Sequence, residues 1–209
     1  GVMYKYPVIV FEGIEGSGKS FHINNLENYF KKKKIKCVKL REPGGSKNAE
    51  KIRKLILNNK SNFNKLTDLF LYLASRNENY QSIIKKNYKK RIILIDRFTD
   101  STIAYQHYGM GLNKKMIIKL NKIILSKIQP NFTFLNIVSM KNLKRRINKR
   151  SKKNRYDNFK ISFYKKVQNG YIKLSKNKKK YMIINSNNEI KQNKKLIINK
   201  INSLISKWI

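Results

Sequence analysis

Apolar positions along the chain fall into short runs of strand length separated by longer stretches of helical period. Pro7-Val8-Ile9-Val10-Phe11 is apolar and β-branched, the pattern of a buried strand. Phe21 to Lys33 then sets Ile23, Leu26, Tyr29 and Phe30 on one face of a helix, and Ile35 to Leu40 alternates as a second strand. Ala49 to Leu57 reads as helix, with Ile52, Leu55 and Ile56 apolar and Arg53 on another face. Lys65 to Tyr80 follows as a helix whose buried stripe is Leu66, Leu69, Phe70, Leu73 and Ala74, with Tyr72 and Arg76 sharing a different side. Arg91 to Asp96 is a buried strand ending in a carboxylate, and Ser101 to Gln106 opens a helix. Met116 to Ile128 is an amphipathic helix broken by Pro130, Phe132 to Val138 a strand, and Phe159 to Leu174 a helix. Tyr181 to Asn185 gives the last strand and Lys191 to Trp208 the last helix. Strands alternating with helices over 1–209 predict one α/β domain, a parallel β-sheet flanked by helices on both faces.

Charge complicates that ordinary picture. Lys and Arg number 49 against 11 Asp and Glu, a net charge of +38, although the 40% hydrophobic content is normal for a globular chain. Such an excess suits nucleic acid or an anionic membrane. Lys, Asn and Ile are over-used together, however, and Lys runs from Lys31 to Lys207 without a dense tail. AT-rich codon usage accounts for that pattern without a specific nucleic-acid partner, leaving weak, salt-sensitive adhesion as the expectation. Cys37 is the only cysteine, which excludes an intrachain disulfide and a thiolate metal cluster. His22 and His107 are too few and too far apart in sequence for a metal site. No apolar run approaches the roughly 20 residues of a membrane span, and no signal-peptide core precedes Pro7, so a soluble cytoplasmic protein is expected.

The chemistry begins at Gly13-Ile14-Glu15-Gly16-Ser17-Gly18-Lys19-Ser20, which fits the phosphate-loop template G-x-x-x-x-G-K-[ST]. It lies between a predicted strand and a predicted helix, the setting in which glycines let backbone N–H groups curl around an anion at a helix N-terminus. Lys19 reaches the β- and γ-phosphates in that arrangement, and the Ser20 hydroxyl ligates Mg²⁺. Asp96, at the end of its strand, is the second expected metal contact, with the Arg97 guanidinium beside the phosphates. Arg41-Glu42-Pro43-Gly44-Gly45-Ser46 enforces a turn at a strand's carboxyl end, where α/β sheets place ligands. Tyr72 and Arg76, spaced i and i+4, can together hold a flat ring. Lys141 to Asn158 is a basic run whose later part, about 146–158, reads as a short mobile lid carrying Arg150 and Arg155.

Phe-Glu-Gly before the loop, Arg-Glu-Pro-Gly-Gly, and Asp-Arg-Phe ahead of Ser-Thr-x-Ala-Tyr-Gln closely resemble the bacterial thymidylate kinases, nucleoside monophosphate kinases of the P-loop class. The resemblance runs from Val8 into the 154–171 segment. It implies ATP and Mg²⁺ as cofactors, dTMP as substrate, dTDP as product and a homodimer. By the same resemblance thymine stacks on Tyr72 and meets Arg76, with Ser101, Thr102 and Gln106 among the substrate contacts. Tyr105 then crowds the sugar 2′ position, Arg53 and Arg97 grip the acceptor phosphate, and Glu15 and Glu42 lie near sugar and phosphate. The loop carries Glu15 and no arginine of its own, which resembles the subtype whose catalytic arginine comes from the lid, here Arg150 or Arg155. The lid motif usually written Asp-Arg-Phe-Glu stands as Asn154-Arg155-Tyr156-Asp157, removing a charge beside Arg155. Ser186 and Asn187 are expected beside adenine. A GTPase is disfavoured, since Asn64-Lys65-Leu66-Thr67-Asp68 has one residue too many for the guanine motif. The alternatives are another nucleoside or nucleotide kinase and a basic nucleic-acid-binding ATPase.

Overall fold

The computed structural model describes residues 3–205. Its centre is one sheet of five parallel strands in the order β2-β3-β1-β4-β5. These are β1 (Val8–Glu12), β2 (Cys37–Arg41), β3 (Ile92–Asp96), β4 (Phe132–Ile137) and β5 (Tyr181–Asn185). Each lies in a segment that the apolar pattern marks as strand, and the α/β fold class stands as expected. Successive residues of β1 and β3 point to opposite faces, and each face has its own core. Ile9, Phe11, Ile92 and Leu94 pack with Leu26, Phe30, Ile197 and Ile201. Val8, Val10, Ile93 and Ile95 pack with Leu40, Ile84 and Leu125. A sheet buried on both faces needs continuous apolar strands, which is why these runs do not alternate with polar residues.

The helices are α1 (Lys19–Lys32), α2 (Lys47–Leu57), α3 (Lys65–Asn79), α4 (Lys85–Asn87), α5 (Thr99–Thr102), α6 (Lys114–Leu125), α7 (Met140–Asn148), α8 (Ile161–Leu174) and α9 (Ile190–Leu204). Four N-termini start where a Ser or Asn side chain accepts a backbone N–H: Ser46 for α2, Asn64 for α3, Asn113 for α6 and Ser139 for α7. The Ser46 cap moves the start of α2 upstream of the expected Ala49. Trp208, the expected end of the last helix, lies outside the described residues. Among those described, no helix is long and apolar enough to cross a membrane.

Two expectations need correction and one needs refinement. The stripe expected on α3 is rotated: Leu69 and Leu73 are buried, but Leu66 is 40% and Phe70 52% exposed, and Ala74 is exposed as well. The inward face instead carries Ser75, Arg76 and Asn79, each bonded to the 42–46 turn, and satisfied polar groups can be buried. The helix expected from Ser101 starts as α5 and continues from Ile103 to Gly109 in wide π turns, with Met110 N bonded to Tyr105 O at 3.0 Å. The basic run is not lid throughout. Residues up to Asn148 belong to α7, which buries Leu143 and Ile147, so the three residues 146–148 are anchored helix and the segment beyond α7 starts at Lys149.

Strand register sets up the rest. Phe11 and Arg41 both stand opposite Asp96. The carboxyl ends of β1, β2 and β3, and the turns leaving them, therefore share one edge of the sheet.

Candidate active site

The phosphate loop leaves β1 through three glycines with positive φ, Gly13 (141°), Gly16 (72°) and Gly18 (87°). Any Cβ at Gly13 would collide with the Asn136 carbonyl, so the template glycine is demanded by sterics as well as by φ. Lys19 Nζ donates to Ile14 O at 3.1 Å and Ser17 Oγ at 3.5 Å, which lays the ammonium across the loop. Burial, then the Arg97 charge, push its pKa down to about 8. Ser20 Oγ donates to Asp96 Oδ2 at 3.3 Å. Asp96 Oδ1 is buried with no hydrogen-bond partner. A hydroxyl beside an unsatisfied carboxylate oxygen at a phosphate loop is an oxygen donor set that fits Mg²⁺.

Next to the loop lies a cavity of about 470 Å³. It is lined by Glu15, Lys19, Ser20, Glu42, Arg53 and Asp96 towards the strand ends, and by Tyr72, Arg76, Arg97, Ser101, Thr102, Tyr105 and Gln106 beyond them. That volume suits a nucleotide-sized ligand. Residues separated by nearly a hundred positions are thus brought to one place, as the motifs predict. Arg150 and Arg155 do not line it, although Asn154 and Tyr156 do.

Arg76 is only 1% exposed, and each of its three nitrogens donates at least one hydrogen bond. Nε donates to Glu42 Oε2 at 2.7 Å, and Nη2 pairs with the same oxygen at 2.6 Å. Nη1 reaches Thr102 Oγ1 (3.0 Å) and Asn121 Oδ1 (2.6 Å), and Nη2 also reaches Phe98 O (2.8 Å). Thr102 Oγ1 accepts again from Asn121 and donates to Thr99 O. A ring edge therefore meets Arg76 and Thr102 only by exchange of an existing bond. Gln106 differs: it is 1% exposed, and its Nε2 is buried without a partner. The Arg76 network also sets a stability expectation. Arg76→Ala leaves the Glu42 carboxylate buried and unpaired, and is expected to lower unfolding free energy by about 3–5 kcal/mol in a denaturant titration. An unchanged midpoint would mean that Glu42 finds water instead.

Arg97, itself at φ 68°, donates to Gly13 O at 2.8 Å and Glu15 Oε2 at 2.9 Å. Glu15 Oε1 takes Arg150 Nη2 at 2.5 Å, so one carboxylate bridges a strand-end arginine and a lid arginine. Burial would raise its pKa, but Arg97, Lys19 and Arg150 outweigh it and hold Glu15 well below the usual carboxylate range. Arg150 Nη1 also donates to Asp157 Oδ1 at 2.9 Å. Arg155 turns the other way, onto Asp68 of α3 at 2.6 Å, its guanidinium over the Phe63 and Tyr156 rings. Asn154 answers the departure noted in the lid motif. Its Oδ1 accepts Tyr156 N while its own N–H donates to Asp157, a capping box that shapes the turn without charge. Arg53 Nη1 donates to Pro43 O at 2.7 Å.

Sequence reasoning missed two residues. Tyr156 roofs the cavity, edge-on to Tyr72 (6.2 Å) and Tyr105 (5.7 Å); the aromatic in the lid motif is the signal that could have found it. Arg146 donates to Gly16 O (2.7 Å) and Ser186 O (3.0 Å), fastening the phosphate loop to the turn after β5. Nothing in a run of lysines and arginines singled it out.

Comparison with known proteins agrees with this geometry. The family model described as thymidylate kinase matches residues 11–197. A thymidylate kinase of Sulfurihydrogenibium sp. is 36% identical over 92% of this chain and 95% of its own. That of Mycoplasma capricolum is 37% identical over 88% and 89%. The crystal structure of thymidylate kinase from Ehrlichia chaffeensis superimposes with a TM-score of 0.77 at 29% identity, covering 95% of this chain and 99% of that one. With the loop, the strand-end Asp-Arg pair and the aromatic cavity on one sheet edge, and a family match over most of its length, the chain belongs to the thymidylate kinase family.

Proposed function

We propose that this kinase transfers the γ-phosphoryl group of ATP, held with Mg²⁺, to dTMP, giving dTDP. The observation that carries the reading is the single cavity joining the phosphate loop to Tyr72, Tyr105 and Gln106. Two polyanions must be pressed together for this transfer, and the protein's share is position and charge. Lys19 and the loop N–H groups take the donor phosphates, and Ser20 and Asp96 would hold the metal, whose chemistry there would be to offset phosphate charge. Arg97 and Arg53 take the acceptor phosphate. Tyr72 stacks on thymine beneath Tyr156, and the unpartnered Gln106 amide supplies the readiest hydrogen bond to the base edge. Tyr105 crowds the 2′ position, and Glu15 and Glu42 border sugar and phosphate. Arg150 is the lid arginine that reaches the transferring group, a role supported by its bond to Glu15 on the loop itself. Arg146, Ser186 and Asn187 border the adenine side.

A coupled ADP-release assay over dTMP, dUMP, dCMP, dAMP and thymidine tests the reading. Turnover is expected to be greatest on dTMP, with kcat/KM for dUMP lower by about 10- to 200-fold, since one methyl in an apolar pocket is worth that much. Preference for thymidine or dCMP would overturn it. The exposed Leu66 and Phe70 stripe on α3 supports a homodimer. Sedimentation at twice the 24.8 kDa chain mass is expected, and a monomer at micromolar concentration would remove that part.

A further inference from the structure

Glu12 is the last residue of β1, 1% exposed, and it does not line the nucleotide cavity. A buried carboxylate is costly unless donors surround it. Glu12 has three: Phe98 N at 2.8 Å and Ser101 N at 3.3 Å on Oε1, and Ser101 Oγ at 2.5 Å on Oε2. The first two tie down the start of α5. The third opens a chain. Ser101 Oγ lies 2.7 Å from Tyr171 Oη of α8, and Arg97 Nη1 lies 3.3 Å from that same Oη.

Proton counting gives the chain a direction. Arg97 can only donate, so Tyr171 Oη accepts from it and must place its own proton elsewhere. Its other partner is Ser101 Oγ, which therefore accepts from Tyr171 and sends its single proton to Glu12. Glu12 terminates the series as an acceptor in its ionised form, which burial, then the Asp100 charge, confine to higher pH by pushing its pKa up to about 7. The order is Arg97 to Tyr171 to Ser101 to Glu12, over three separate segments: β1, the 97–101 stretch and α8. Hydrogen bonds in such a series polarise one another, and here each makes the Tyr171 oxygen a better acceptor for the guanidinium.

We infer that Glu12 is a positioning residue for Arg97, acting through Ser101 and Tyr171 to fix the guanidinium that receives the acceptor nucleotide's phosphate. The inference rests on the proposed role of Arg97 and adds what orients it. Glu15 also holds Arg97, but Glu15 lies in the cavity and is shared with Arg150, whereas the Tyr171 bond comes from the closed side. It also gives Ser101 a use: its hydroxyl is committed to the relay, although the residue borders the cavity.

Tyr171→Phe removes one oxygen and keeps the ring, so α8 packing and both backbone caps on Glu12 are untouched. The KM for dTMP is expected to rise about five- to tenfold, the effect of one lost hydrogen bond. KM for ATP and saturating turnover are expected to stay at wild-type values. Glu12→Gln can still cap the two backbone N–H groups, but its NH₂ donates into Ser101 and reverses the chain. It is expected to raise the dTMP KM likewise, and the Glu12→Gln/Tyr171→Phe double variant to be no worse than the worse single one. Where Glu12→Gln does not fold, judged by its melting curve, Tyr171→Phe alone decides. An unchanged dTMP KM in Tyr171→Phe, equal rises for dTMP and ATP, or additive losses in the double variant would overturn the relay. A wild type that releases no ADP with dTMP would remove the role of Arg97 and the relay together, whereas an active wild type beside an unaffected Tyr171→Phe removes the relay alone.

Discussion

Replacing Lys19 with alanine is expected to cut turnover on dTMP by about 100- to 1,000-fold, the scale measured for removing one preorganised charge stabiliser. The ammonium is held across the loop by Ile14 O and Ser17 Oγ, so it is already placed where the donor's phosphates arrive. The fold is expected to survive, because those two bonds are the side chain's only hydrogen bonds among the described residues and the loop glycines hold its shape. A second readout follows from the pKa, pushed down to about 8 from an ordinary 10.5 by burial and Arg97. Between those values the unfolded chain binds more protons at this site than the folded one, so the site makes stability rise with pH there. The alanine variant is expected to lose that increment when wild type and variant are unfolded in parallel at pH 8 and pH 10. Near-normal turnover in Lys19→Ala would return the loop to an unassigned role.

The second large effect separates the two lid arginines. Arg150→Ala is expected to lower kcat by about 1,000-fold, the lower end of what an arginine finger supplies. Arg155→Ala is expected to lower it far less. Arg150 reaches Glu15 on the loop, while Arg155 is spent on Asp68, 4% exposed in the ion pair, which fastens the lid to α3. Arg155→Ala and Asp68→Asn break the same ion pair, so both are expected to raise the dTMP KM through a lid no longer fastened to α3, and to leave Arg150 in place. Stopped-flow measurement of the transfer step makes the comparison. A larger kcat loss in Arg155→Ala than in Arg150→Ala would exchange the two roles.

The lid also marks where sequence reasoning stopped. Both arginines belong to one basic run, and neither spacing nor charge distinguishes them. The difference lies in which carboxylate each finds after folding, Glu15 from the loop or Asp68 from α3. Arg76 makes the same point. Its spacing from Tyr72 indicates a shared helical side, and both do line the cavity. That it bonds to Glu42, Thr102, Asn121 and Phe98 O depends on three other segments, the turn after β2, α5 with its N-cap, and α6, meeting at one helix. The α3 stripe failed for a related reason. A helix buries whichever face its neighbours can satisfy, and Ser75 and Asn79 are satisfied by the 42–46 turn.

What the sequence by itself determined is local or periodic. The central runs of β1 and β3 needed no tertiary information, because a strand covered on both faces is apolar along nearly its whole length. The phosphate loop was equally legible, since its glycines answer to backbone sterics and its Lys-Ser pair sits at a fixed offset from them. Parallel alternation then implied that the turns after β1, β2 and β3 meet at one edge. Tertiary structure alone decided which groups remain unpaired there. The orphaned Asp96 Oδ1 and Gln106 Nε2, the bridging Glu15 and the buried Glu12 all owe their state to partners far away in the chain. Hydrogen-bond satisfaction is a property of the whole packed assembly, and a linear pattern of side chains does not carry it.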